Sequence, residues 1–215
     1  MNKEEREKII IKSEYHTHWQ QNRWNFIIGV FGIPFFEGKR ILDLGSHNGF
    51  FGANCFKLGA DVTCVEGREG NSNVIKHNYP FLNVITKDLD SPEWDFGKYD
   101  VIINFGLLYH LEKFHAEHLL NCINNSNILI LESVIYNSFD SEIYFRKEDW
   151  GIDQSMSDVG GTPTASYVEN VIKQSNKSFF RCDDARLNGG DHCYSWIEDG
   201  SKLFNEWNRR FWIIQ

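Results

Sequence analysis

The sequence lacks any apolar run approaching the roughly 18 residues needed to span a membrane, so no membrane partner is expected. Its start, Met1–Lys8, is charged and is followed by only three isoleucines, which does not read as a secretory signal. Cysteine is sparse and scattered: Cys55, Cys64, Cys122, Cys182 and Cys193 are five, an odd number, and none stands in a C-x-x-C pair. They read as reduced core thiols of a cytoplasmic protein. Positive charge is short as well: 22 Lys and Arg against 30 Asp and Glu leave a net charge of −8. The chain has no global pull toward phosphate backbones, which argues against duplex DNA as a partner. There is no internal repeat and no low-complexity linker. Aromatic residues, by contrast, make up 15% of the 215 residues, with seven Trp, and 41% of residues are hydrophobic. That composition excludes a disordered chain. The length predicts one domain that buries a core without covalent staples.

Residues 1–31 read as helix, charged at first and rich in Trp and Asn later. Gly32-Ile33-Pro34 ends it, because proline disfavours helix in the residue before it. From Lys39 the pattern changes. Continuous apolar runs recur at Arg40–Leu44, Asp61–Val65, Asn83–Thr86, Asp100–Phe105 and Asn127–Leu131, as strands buried on both faces require. Between them lie helical spacings: Phe51, Cys55 and Leu58, then Ala116, Leu119, Leu120 and Ile123. Alternation of this kind predicts a parallel sheet wrapped by helices. Asn137–Gly161 is a polar stretch. Thr162-Pro163 then looks like a helix start, Thr162 capping and Pro163 in the first turn, with Ala165, Val168, Val171 and Ile172 as the apolar face. Ser178–Cys182 and Arg210–Ile214 read as two further strands, the second antiparallel because no helical crossover separates the pair.

The most informative segment is Ile41-Leu42-Asp43-Leu44-Gly45-Ser46-His47-Asn48-Gly49, a buried strand running through glycines into a helix. In an open α/β sheet that turn is a ligand site, because glycines admit the ligand to the backbone and helix N–H groups face it. Glu66, 21 residues after Gly45, ends the next strand, where a carboxylate can accept both hydroxyls of a ribose. Together these features predict a nucleoside-containing cofactor. A dinucleotide fingerprint would place glycine at 45, 47 and 50, where the chain has Gly45, His47 and Phe50. A cofactor without a pyrophosphate is favoured, and a nicotinamide oxidoreductase is disfavoured.

At these residues the chain resembles the class I S-adenosylmethionine-dependent methyltransferases. Their first motif is an acidic residue, any residue, then Gly-x-Gly-x-Gly, and here it reads Asp43-Leu44-Gly45-Ser46-His47-Asn48-Gly49, with His47 replacing the middle glycine. The resemblance continues through Glu66-Gly67, Asp88-Leu89 and Asn104-Phe105-Gly106-Leu107-Leu108-Tyr109-His110, and covers roughly residues 38–135 well. It implies a doubly wound, mostly parallel seven-stranded sheet of Rossmann-like type, with an antiparallel C-terminal strand. It implies a methyltransferase domain over residues 39–215 and an N-terminal helical lid, residues 1–38, belonging to the same domain. S-adenosyl-L-methionine would be held by Asp43, Gly45, Ser46, His47 and Gly49. Glu66 and Gly67 would take its ribose, and Asp88 and Leu89 its adenine. Asp43 and the backbone near Asn104 and Gly106 would hold its amino-acid end.

The phrase from Phe105 to Leu111, with Glu132 ending the fifth strand, looks like a subset that includes small-molecule and sugar O-methyltransferases and the wobble-uridine branch that modifies tRNA. The implied activity is methyl transfer to an oxygen of a small molecule or sugar. A tRNA uridine remains the alternative acceptor, and a non-catalytic cofactor-binding protein the rival of another class. Amino-methylating DNA enzymes carry Pro-Pro after the fourth strand, which this chain lacks, and cytosine methylation needs a Pro-Cys that is also absent. An oxygen acceptor must lose its proton. His110, just past the fourth strand, has the right chemistry for a general base, with Glu132 and His192 as next choices. Tyr109, Trp19, Arg23 and His192 are expected to contact the substrate, and Trp19 or Trp24 to cover the cleft. Glu112, His115 and His118 spread over about 120° of a helix and so read as surface positions rather than metal ligands. Asp183-Asp184 with Asp191-His192 is a second acidic group, and no metal is assigned to it. Arg209-Arg210 reads as two strand residues facing solvent or an acid.

Overall fold

The computed structural model describes residues 1–12, 17–148, 155–188, 194 and 208–215. Five strands alternate with helices as the apolar runs require: β1 (Arg40–Leu44), β2 (Asp61–Glu66), β3 (Asn83–Thr86), β4 (Tyr99–Phe105) and β5 (Ser126–Val134). The helices among them are α3 (Phe50–Lys57), α4 (Glu69–Asn78) and α5 (His115–Asn124). The seven-stranded sheet has the order β3-β2-β1-β4-β5-β9-β8, with β8 (Phe179–Cys182) and β9 (Arg209–Ile214) at one edge. β1 to β5 pair parallel, while β9 pairs antiparallel with both β5 and β8. The order reverses between β1 and β4, where Leu44 lies opposite Asn104. Ligands bind at such a switch point, beyond the carboxyl ends of the strands.

Alternate residues of each strand feed two cores. Ile41, Cys64, Ile103 and Phe211 pack with α3 and with Trp24, Phe26 and Ile27 of α2 (Thr17–Phe31). Leu42, Leu44, Ile102, Leu129 and Trp212 pack with Leu119 and Ile123 of α5 and Val168 and Ile172 of α6 (Ala165–Gln174). Fully buried aliphatic side chains such as these stabilise the fold by about 1.5–3 kcal/mol each. Among the described residues no helix is long and apolar enough to cross a membrane.

Three expectations change. The single N-terminal helix is two: α1 (Lys3–Glu7), closed by a capping box of Asn2 and Glu5, and α2. Arg6 of α1 donates to the carbonyls of Phe56 and Ala60, and after α1 the Lys12 N–H donates to the Tyr79 hydroxyl, which ties this part of the chain to the body. The polar stretch holds a hairpin, β6 (Ile143–Lys147) paired with β7 (Val159–Pro163). Thr162 and Pro163 belong to β7. The helix starts two residues later, with Thr164 Oγ1 accepting the Tyr167 N–H at 3.1 Å.

Candidate functional site

A cleft of about 410 Å³ opens at the carboxyl ends of β1, β2 and β4. Its floor is the turn after β1. Gly45 has φ 68° and His47 φ 49°, both left-handed. For a non-glycine residue that conformation costs about 1–2 kcal/mol. It is offset because the His47 N–H donates to Glu66 Oε2 at 2.8 Å, a charge-assisted bond. Gly45 and Ser46 N–H both donate to the Val65 carbonyl, tying the turn to β2. Glu66 also accepts the Arg68 N–H through Oε1 at 3.0 Å, and it lines the cleft with Gly67. Each carboxylate oxygen keeps a lone pair for a further donor. Gly49 instead caps α3 and faces Ile75 and Tyr79, off the cleft wall.

Asp43 lines the cleft but is almost fully buried, and its Oδ2 accepts the Gly52 N–H at 3.0 Å. Burial pushes its carboxyl up to about 7, against the Gly52 and Ser46 hydrogen bonds and with the charge of Glu66 adding to the rise. Asp88, Leu89 and Asp90 form the wall beyond β3. Asp90 was not among the residues read from the sequence. Its carboxylate accepts the N–H groups of Glu112, Lys113 and Phe114, and so ties the segment after β3 to the one before α5.

After β4, Phe105, Gly106, Leu107, Tyr109 and His110 line the cleft. Asn104 does not. Its amide points to the far face and donates to His118 Nε2 at 2.8 Å. His118 and His115 are buried rather than at the surface, a correction to the helical-wheel reading. A wheel gives angular spread, not the side that faces the sheet. Burial pushes the His118 imidazole down to about 4, so it is neutral, while His115 bonds the Gly161 carbonyl at 2.8 Å.

His110 sits on a short 3₁₀ turn, Leu108–His110. Its Nδ1 lies 2.6 Å from Oε2 of the buried Glu148, just after β6. Glu148 was also absent from the sequence reading, and only its carboxylate identity could have flagged it. Burial disfavours its charge, but His110, the Ser155 N–H and Arg146 together hold its carboxyl below the usual value.

Arg23 is not a substrate-facing residue. It is wholly buried, 2.7 Å from Glu132 Oε1, and its Nε donates to the Tyr194 hydroxyl. Arg209 donates to the same Glu132 oxygen at 2.8 Å and to the Tyr109 hydroxyl at 3.2 Å, and it does line the cleft. Arg209 therefore faces an acid, and both Arg209 and Arg210 are buried. Glu132 is buried between two guanidinium groups, which removes it from the candidate bases. Trp19 lines the cleft with Gln20, while Trp24 packs on Phe36 in the core and covers nothing. Asp191, His192 and Cys193 lie outside the described residues.

No family model matches the chain. It is 22% identical over 190 residues to a tRNA U34 carboxymethyltransferase of Pseudomonas putida, which covers 83% of this chain and 56% of that protein. The chain thus spans about half the length of the curated relatives it matches. A structure of an S-adenosylmethionine-dependent methyltransferase from Mesorhizobium loti superposes with a TM-score of 0.63 at 15% identity, over 90% of this chain and 97% of that one. Magnesium protoporphyrin IX methyltransferase from Synechocystis, solved with bound cofactor, gives 0.62 at 12% identity, over 98% and 89% of the two chains.

Proposed function

We propose that this chain, whose fold is that of the class I S-adenosylmethionine-dependent methyltransferases, binds S-adenosylmethionine in the cleft and transfers its methyl group to an oxygen of a small molecule or sugar. The observation that carries the reading is the pair of carboxylates, Asp43 and Glu66, on either side of the turn after β1. The donor set fits the cofactor: Glu66 suits a ribose diol, and Asp43 suits a cationic amino-acid end. Ser46, His47, Gly67 and Gly106 shape the walls, and Asp88 and Leu89 line the side of the cleft where the adenine would lie. The cofactor supplies an electrophilic methyl on a sulfonium. The chain's residues align the acceptor with it in a cleft closed by Trp19 at the start of α2, and His110 takes the acceptor proton. Tyr109, fixed by Arg209, orients the acceptor.

Glu66→Ala is expected to weaken S-adenosylhomocysteine binding by roughly 10- to 150-fold in calorimetry, since it removes a charge-assisted contact and the brace on His47. No binding of either form of the cofactor, together with tight NAD binding, overturns the reading. Affinity for S-adenosylmethionine should also depend on pH through Asp43. A cation favours the carboxylate, so below about pH 7 binding must release the proton held there. Affinity is expected to rise with pH, by up to about tenfold per unit, and to level off above that point. Asp43→Asn should flatten the curve, and an equal slope in wild type and variant assigns the dependence elsewhere.

A second reading, transfer to a tRNA uridine, is favoured by the likeness to the tRNA U34 carboxymethyltransferases over 83% of this chain. Incubation with methyl-labelled cofactor and either total tRNA or a sugar library separates the two by where the label appears.

A further inference from the structure

His110 and Glu148 come from separate parts of the chain, 38 residues apart, yet meet at 2.6 Å. The place where they meet is built to hold a carboxylate. Glu148 Oε2 also accepts the Ser155 N–H at 3.1 Å, and Oε1 takes Arg146 Nε at 3.2 Å. Behind it stands Gly160 of β7, where a Cβ would come within 2.5 Å of the Glu148 carboxyl carbon. Only glycine at that position leaves room for the carboxylate. The carboxylate itself has no exposed surface, whereas the His110 side chain keeps 16%. Among the described residues nothing bonds His110 Nε2, and the ring lines the cleft.

The two ring nitrogens of an imidazole point in nearly opposite directions. When one donates to a carboxylate, the other is left as the acceptor. We propose that Glu148 is a positioning residue: it takes the Nδ1–H of His110 and so presents an unprotonated Nε2 to the cleft. The inference rests on the proposed methyl transfer for its consequence, though not for its geometry. The acceptor O–H bond breaks, its proton moves to Nε2, and the freed oxygen pair forms the bond to the methyl carbon as the carbon–sulfur bond opens. The resulting imidazolium is held by Glu148 until Nε2 returns its proton to solvent. Among the described residues, the other charged groups around the pair are Arg146, Arg68 through the Ser155 carbonyl, and Arg209 through Tyr109; β7, packed against the 3₁₀ turn, contributes no titratable side chain.

The test is long-range ¹⁵N–¹H NMR of the histidine rings in the full chain, with the His110 signals assigned by His110→Gln. At pH 8 the wild type is expected to show His110 protonated on Nδ1. Glu148→Ala should transfer that proton to Nε2. Glu148→Gln, which keeps an acceptor oxygen at the same place, should keep the tautomer. Thermal melting and S-adenosylhomocysteine calorimetry on the same samples establish that the variants are folded. An Nε2-protonated ring in the wild type, or a tautomer that Glu148→Ala leaves unchanged in a folded protein, overturns the proposal. Absent cofactor binding in the wild type would instead defeat the methyltransferase reading while leaving the ring assignment measurable.

Discussion

Truncating Glu132 to alanine is expected to cost about 3–5 kcal/mol of stability. Three donors converge on one of its oxygens: Arg23 at 2.7 Å, Arg209 at 2.8 Å and the Tyr194 hydroxyl at 3.1 Å. Glu132 and Arg23 have no exposed side-chain surface, and Arg209 has 7%. Glu132 is the only acid of this cluster among the described residues, and removing it leaves two buried guanidinium groups without that partner. Burial works against the charge of Arg209, and Glu132 more than compensates, holding its guanidinium more firmly protonated than usual. A domain of this kind is stabilised by about 5–15 kcal/mol in all, so the loss is a large share. Urea denaturation followed by tryptophan fluorescence measures it. A midpoint within a few tenths of a molar of wild type would show that the cluster does not hold β5 and β9 to α2.

The second large effect is kinetic. His110→Ala should lower turnover by roughly 100- to 10,000-fold while leaving S-adenosylhomocysteine affinity nearly unchanged, because base and cofactor contacts are separate. Initial rates of S-adenosylhomocysteine formation with a turning-over acceptor give the turnover, and calorimetry gives the affinity. Near-normal turnover in the variant would place the base elsewhere. Glu132 is not an alternative, since its carboxylate is committed to Arg23 and Arg209.

How much of this was legible in the sequence varies element by element. The strands from β1 to β5 could be read because their two faces are both buried, and that demand writes a continuous apolar run. The hairpin of β6 and β7 could not. β6 carries exposed Tyr144, Phe145 and Lys147, and β7 is Val-Gly-Gly-Thr-Pro, a composition that signals a loop. Its glycines are there for tertiary reasons: a side chain at Gly160 would strike Glu148, and one at Gly161 would strike His115. Within the candidate site, Asp43, Gly45, Glu66 and His110 were visible because each lies at or just past the carboxyl end of a strand. Arg23 was misread as facing substrate because its position on a helix says nothing of a buried acid on β5.

The sequence by itself determined the sheet, its parallel core and the end at which the cleft opens. Periodicity and glycine placement are local properties, set by strand pleat and backbone sterics within a few residues. Only the tertiary structure decided which polar groups face the cleft and which are bound away from it. Glu148 reaches His110, Glu132 joins Arg23 to Arg209, and Asn104 turns to His118 across sequence separations that carry no pattern. The strength of such pairings depends on burial and on distances of a few ångströms, because a charge or a hydrogen bond is worth far more out of water than in it. Both quantities come into existence only when the chain has folded.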